Sequence, residues 1–196
     1  MRSAIGFRVH SGWAAAVTLS GAAGSPAVLD RRRIQLVGTF TYAFRQPYHT
    51  AEKLPLSEAN SFVEKVRAES CRLALDGIRA VRKDLAGVKC RIESVALLLS
   101  SARELPALER ILSSHALIHT ADGELFRDAV RQACLQAKIK LACFRERELL
   151  ADAAARLACS PAALERRIAS LGKSLGPPWT QDQKLAALGA WLSLAD

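Results

Sequence analysis

Apolar and polar residues alternate strictly near the start of the chain, with Ile5, Phe7 and Val9 interleaved with Gly6, Arg8 and His10. A period of two sends successive side chains to opposite faces, so this stretch predicts a strand with one apolar face. Ser11-Gly12 supplies a turn, and "WAAAVTLS" follows as a second extended run. "GAAGSP" reads as a hairpin loop, and "AVLDRRRIQLV" returns as a third strand with Arg31, Arg32 and Arg33 on an exposed edge. Three strands joined by tight turns make an antiparallel meander.

Residues 38–56 carry no clear period and are broken by Pro47 and Pro55, which predicts an irregular segment. Ser57 then suits an N-cap, with Glu58 in the first turn where the helix dipole favours an acid. Ala59, Phe62, Val66, Leu73, Gly77 and Val81 mark the stripe of a long helix that stops near Gly87. "SVALLLS" is continuously apolar, as a central parallel strand buried on both faces should be. Two helical stretches over residues 105–118 and 121–137 come next, then a strand "IKLACF" and a helical tail. In that tail Ser160-Pro161 opens one helix, "GPPW" breaks it, and "TQDQKLAALGAWLSL" begins the last one at Thr180. The predicted order is β-β-β-α-β-α-β-α: an α/β fold in which the meander continues into parallel strands, with helices on both faces. It is read as a single domain, 1–196, whose residues 146–196 form a helical C-terminal extension.

This element order resembles the ribonuclease H-like superfamily. "IGFRVHSGWAAAVTL" looks like the first hairpin of its Holliday-junction-resolvase branch. "GELFRDAVRQACLQAKIKLACFRERELL" resembles that branch's helix–strand unit, and "DQKLAALGAWLSL" is similar to its final helix. The resemblance implies two Mg²⁺ ions held by three or four carboxylates: on the first strand, at the end of the fourth, and on the last helix. Here Arg8 or His10 replaces the first-strand acid, depending on register. The fourth strand ends in Ser100-Ser101, with Glu104 the nearest acid. The last helix keeps Asp182, with Lys184 or Leu185 at the inner position. A cation at a two-metal position opposes metal binding, so neither a metal site nor a cofactor is expected, and the nuclease activity does not carry over. Kinase-like members of the broad fold cradle phosphate in a Gly-rich first hairpin, for which "HSGWAA" is poor material.

Composition narrows the class of partner. Lys plus Arg number 28 against 19 Asp plus Glu, a formal net charge of +9. That excess favours an anionic partner, nucleic acid first; a merely solvated surface is the competing explanation, because no long block of like charge occurs. The five cysteines form no C-x-x-C pair and suit buried, reduced thiols. No apolar run approaches a membrane span, so the expectation is a soluble, cytoplasmic protein with no membrane partner.

Candidate chemistry clusters in "SSHALIHTADGELF", where His115 and His119 are followed by Asp122 and Glu124. The histidines are spaced i,i+4 and share a helix face, but the glutamate that zincins place after the first histidine is Ala116 here. The plainer reading is a helix start, with Thr120 capping and the two acids in the first turn; a metal or acid–base cluster is the alternative. "FRQPYHTAEK" places Arg45 and Tyr48 where they can hold a base and a phosphate, or simply pin a loop. Trp179 reads as a hydrophobic staple over the first turn of the last helix. Three functional readings follow. The preferred one is a catalytically degenerate module that binds nucleic acid, through Arg31, Arg32, Arg33, Arg45 and Tyr48, or a protein. The second is an enzyme whose rebuilt site gathers His10, Glu104, His119, Glu124 and Asp182 at the ends of strands one and four. The third is an assembly protein using the long first helix or the Trp191 face.

Overall fold

The computed structural model describes residues 1–22, 24–100, 104–173 and 175–195. β1 (Arg2–His10), β2 (Trp13–Ala22) and β3 (Ser25–Gln35) form the antiparallel meander. The turn from β1 to β2 rests on Gly12 at φ +84°, a left-handed conformation that glycine adopts without strain. β4 (Arg91–Leu99) and β5 (Lys140–Arg145) add in parallel, giving the order β3-β2-β1-β4-β5. β4 therefore has a parallel neighbour on each side, as its unbroken apolar run requires, while β1 holds the middle of the sheet.

The segment read as irregular contains two short helices, α1 (Tyr42–Arg45) and α2 (Pro47–Ala51), the second opened by Pro47. Its proline pre-sets φ for a first helical turn rather than breaking one. α3 (Leu56–Ala86) starts one residue before Ser57, with Pro55 at its cap. Its buried stripe runs through Val63, Val66, Ser70, Ala74, Ile78 and Val81, while Phe62 and Leu73 are only partly covered. The stripe is centred on small residues, which is why bulk alone misplaces it by a fraction of a turn.

After β4 come α4 (Leu108–Leu112) and α5 (His115–Gln136). The expected helix start at Thr120 does not occur. α5 runs unbroken from Ser114, its N-cap, and the Thr120 hydroxyl donates back to the Ala116 carbonyl at 2.9 Å, as a threonine inside a helix does. Asp122 and Glu124 are therefore mid-helix and buried. α6 (Leu149–Arg156), α7 (Pro161–Leu171) and α8 (Gln181–Ala195) complete the chain, and Ser160 caps α7 by accepting from Ala163 N. Trp179 staples a different helix from the one expected: its indole donates to the Ile168 carbonyl of α7 at 3.0 Å.

Helices cover both faces of the sheet. On one, Ile5, Phe7, Val9, Val95 and Leu97 pack under α3 and α5. On the other, Ala4, Val17, Leu19, Ala96 and Leu98 pack under α8 with α6 and α7. Trp191 of α8 lies fully inside this second core, so it offers no exposed assembly face. All five cysteines are free; Cys90 and Cys134 are buried as expected, and burial pushes the Cys134 thiol up to about 12, but Cys143 is exposed. Among the described residues no helix is long and apolar enough to cross a membrane.

Candidate functional site

Arg8 and His10 are both on the α8 face of β1, two residues apart and therefore on the same side of the strand. The register question raised by the sequence thus resolves to both residues. The Arg8 guanidinium holds Glu146 through two hydrogen bonds, 2.7 Å from Nη2 and 3.1 Å from Nε, and also donates to Asp182. His10 Nε2 lies 3.0 Å from the same Asp182 oxygen. Glu146 immediately follows β5, so the carboxyl ends of two parallel strands and the first turn of α8 meet here. Hydrogen bonds to Glu146 raise the Arg8 pKa further and outweigh its burial. Burial by itself would raise the Asp182 carboxyl, but Arg8 and His10 hold it below its ordinary value.

An open cavity of about 920 Å³ lies beside this cluster. Arg127, Arg147, Arg166 and Lys184 line it together with Arg8, against only Glu146 and Glu165. From His10 a stack leads away over the meander. His10 lies on Trp13 with ring centroids 4.4 Å apart, and Arg33 lies 4.2 Å over Trp13 and 4.9 Å over Phe40. Arg45 closes the row 4.5 Å over Phe40, which is exposed.

The Arg31–Arg33 run does not form one patch, because strand alternation sends neighbours to opposite faces. Arg31 donates to the carbonyls of Gly176 and Pro178, and Arg32 is held between Asp30 and Asp84. Arg33 and Arg45 alone of the expected nucleic-acid residues join the stack. Tyr48 is buried, with its hydroxyl accepting from Arg67 at 3.1 Å, so its ring has no open face for a base.

The five residues expected to converge in a rebuilt active site fall into three groups. His10 and Asp182 belong to the Arg8 cluster. Glu104 and Glu124 line a second cavity, of about 780 Å³, between α3 and α5; Glu124 is paired there with Arg127 at 3.1 Å. Ser101, at the expected end of strand four, lies outside the described residues. His119 belongs to a third group, in which its Nε2 is 3.0 Å from that of His115 on the preceding turn. The ring of His49, from α2, closes this group, with centroids 4.5 Å from His119 and 5.4 Å from His115. Asp122 then anchors His49: its carboxylate accepts from His49 Nδ1 and from the Tyr48 backbone N–H, the latter at 2.7 Å. Burial pushes the Asp122 carboxyl above its ordinary value, opposed by those two hydrogen bonds.

No protein-family model matches the chain, and no curated protein does. Among solved structures it is similar to Thermus thermophilus RuvC in complex with a Holliday junction substrate. The TM-score is 0.52 at 13% identity, over 97% of this chain and 91% of that one. The fold is ribonuclease H-like. A second Thermus thermophilus RuvC structure matches over 96% of this chain and 91% of that one, with 12% identity and a TM-score of 0.48. The Arg8 cluster joins β1 to α8, two of the three elements on which the resemblance expects carboxylates for two Mg²⁺ ions, and adds Glu146 from the end of β5. The donor set does not fit such ions. Near 4 Å and at an effective dielectric of 20, each carboxylate attracts a divalent ion by about 8 kcal/mol, and a guanidinium repels it by as much. Arg8 therefore cancels one of its two carboxylates. One net negative charge is poor inducement for Mg²⁺, which sheds its water reluctantly.

Sequence reasoning missed Glu146 and His49 as partners. Glu146 had a signal, an acid placed directly after the last parallel strand. His49 stood out only as one of the polar residues of "FRQPYHTAEK"; its pairing with Asp122, 73 residues away, had no local signal.

Proposed function

We propose that the protein is a ribonuclease H-like module without two-metal nuclease activity that binds nucleic acid through the cleft beside Arg8. The observation that carries this reading is a cavity at the carboxyl ends of the parallel strands, beside which Glu146 and Asp182 are both engaged by Arg8 while cationic side chains outnumber acidic ones along its walls. Phosphates of one strand would meet Arg147, Arg166 and Lys184, and unpaired bases would extend onto the row of Trp13, Arg33 and Phe40. The solved neighbour holds a Holliday junction, which makes branched DNA the first ligand to try.

The test measures binding to single-stranded, duplex and four-way-junction oligonucleotides across a salt series. Affinity should fall linearly in log–log form, through counterion release. Replacing Arg147, Arg166 and Lys184 together by alanine should reduce the slope by about 2–3 and weaken all sequences alike. Titration with Mg²⁺ or Mn²⁺ should show no binding tighter than millimolar. Salt-independent affinity, or a triple variant that binds like the parent, rejects the interface; a micromolar Mg²⁺ site rejects the loss of two-metal chemistry.

A further inference from the structure

The histidine group lies on the opposite side of the sheet from the Arg8 cluster, and nothing in the proposed nucleic-acid binding uses it. We propose that His49, His115 and His119 form a site for one zinc-class divalent transition-metal ion, with a fourth coordination position open to solvent.

The geometry is that of a three-histidine set. One nitrogen from each ring lies within 4.8 Å of the others. Tetrahedral ligation at ~2.0–2.1 Å separates ligand nitrogens by roughly 3.3 Å, so small side-chain rotations suffice. His115, His119 and Asp122 occupy positions i, i+4 and i+7 of α5, one continuous stripe on a helix surface. His49 arrives from α2, where Pro47 and buried Tyr48 fix the helix against its neighbours.

The carboxylate behind His49 distinguishes a metal site from a chance meeting of rings. Asp122 is 3% exposed and bonds His49 Nδ1, which fixes the tautomer and leaves Nε2 as the nitrogen His49 can offer. A carboxylate held behind a ligating imidazole is the usual support of a histidine metal site. The Tyr48 backbone N–H steadies the other Asp122 oxygen at 2.7 Å.

Chemistry selects the ion. Three neutral imidazoles suit Zn²⁺, Co²⁺, Ni²⁺ and Cu²⁺, and offer nothing to Mg²⁺ or Ca²⁺, which take oxygen ligands. His115 and His119 are both exposed, so a water or a partner's side chain can reach the remaining position.

The experiment titrates Zn²⁺, and separately Co²⁺, into untagged, chelator-stripped full-length protein. One equivalent of Zn²⁺ should bind at micromolar affinity or tighter, unaffected by millimolar Mg²⁺, and Co²⁺ should give the visible bands of a low-coordinate site. His115→Ala and His119→Ala, at exposed positions that leave the core intact, should each weaken binding at least tenfold, as should His119→Gln. Asp122→Asn should weaken it by about 10–100-fold. Absence of Zn²⁺ binding tighter than millimolar would make the group a hydrogen-bonded histidine cluster only. Full binding retained in a folded His115→Ala, His119→Ala double variant would place the ion elsewhere on the molecule. Either result overturns the site and leaves the nucleic-acid reading untouched.

Discussion

Replacing Arg8 by methionine would keep an unbranched apolar stem and remove the charge that Glu146 and Asp182 share. Both acids are partly buried, so the loss should cost about 1–3 kcal/mol at neutral pH, more than an exposed pair would. The pH dependence follows from Asp182, whose folded pKa is held below that of the unfolded chain. A depressed carboxyl pKa contributes stability that is complete above the unfolded value of about 3.9 and is lost as pH falls through the folded value. The gap between the parent and Arg8→Met should therefore be widest near neutrality and close below about pH 4. Urea denaturation across that range measures it; a gap that stays constant into acid would show that Arg8 stabilises by packing rather than by charge.

α8 approaches β1 so closely that only glycine fits beneath it. A Cβ on Gly6 would stand 1.8 Å from the Ala186 carbonyl oxygen and 2.9 Å from Ala190 N, both backbone atoms that cannot swing aside. Gly6→Ala should then cost about 3 kcal/mol or more, at the upper end for overpacking, because the whole helix has to lift. Thermal and urea melts test this, and a variant as stable as the parent would mean that α8 docks less tightly. Elements of this kind were largely legible from sequence, because their signals are local: period two in β1, an apolar run in β4, a Ser-Pro start for α7. The Thr120 boundary failed for the opposite reason. Thr120, Asp122 and Glu124 carry every local mark of a helix start, yet α5 continues through them because Asp122 is committed to α2 and Glu124 to Arg127. The candidate sites were legible only in half. Arg8, His10 and Asp182 stood out by analogy of position, whereas Glu146 and His49 are joined to them or to His119 by contacts no local window contains.

At the scale of the whole molecule, β4 links the two cores, since its alternate residues feed one on each side. Leu97 is fully buried under α3 and α5, and a charge there would have no partner among its apolar neighbours. Leu97→Asp should cost several kcal/mol, enough to unfold a domain of ordinary stability. His115→Ala, at an exposed site, should cost about 1 kcal/mol or less in metal-free buffer. Parallel melts of the two variants separate core from surface, and the reverse ranking would refute the assignment. The docking of α8 also has a consequence for synthesis. The face formed by Ala4, Val17 and Leu19 is covered by residues near position 190, so it emerges from the ribosome long before its cover is made. At roughly 5–20 residues per second that interval lasts on the order of 10–30 s. For that time the nascent sheet carries an open apolar side, and it is then that the chain most needs a chaperone.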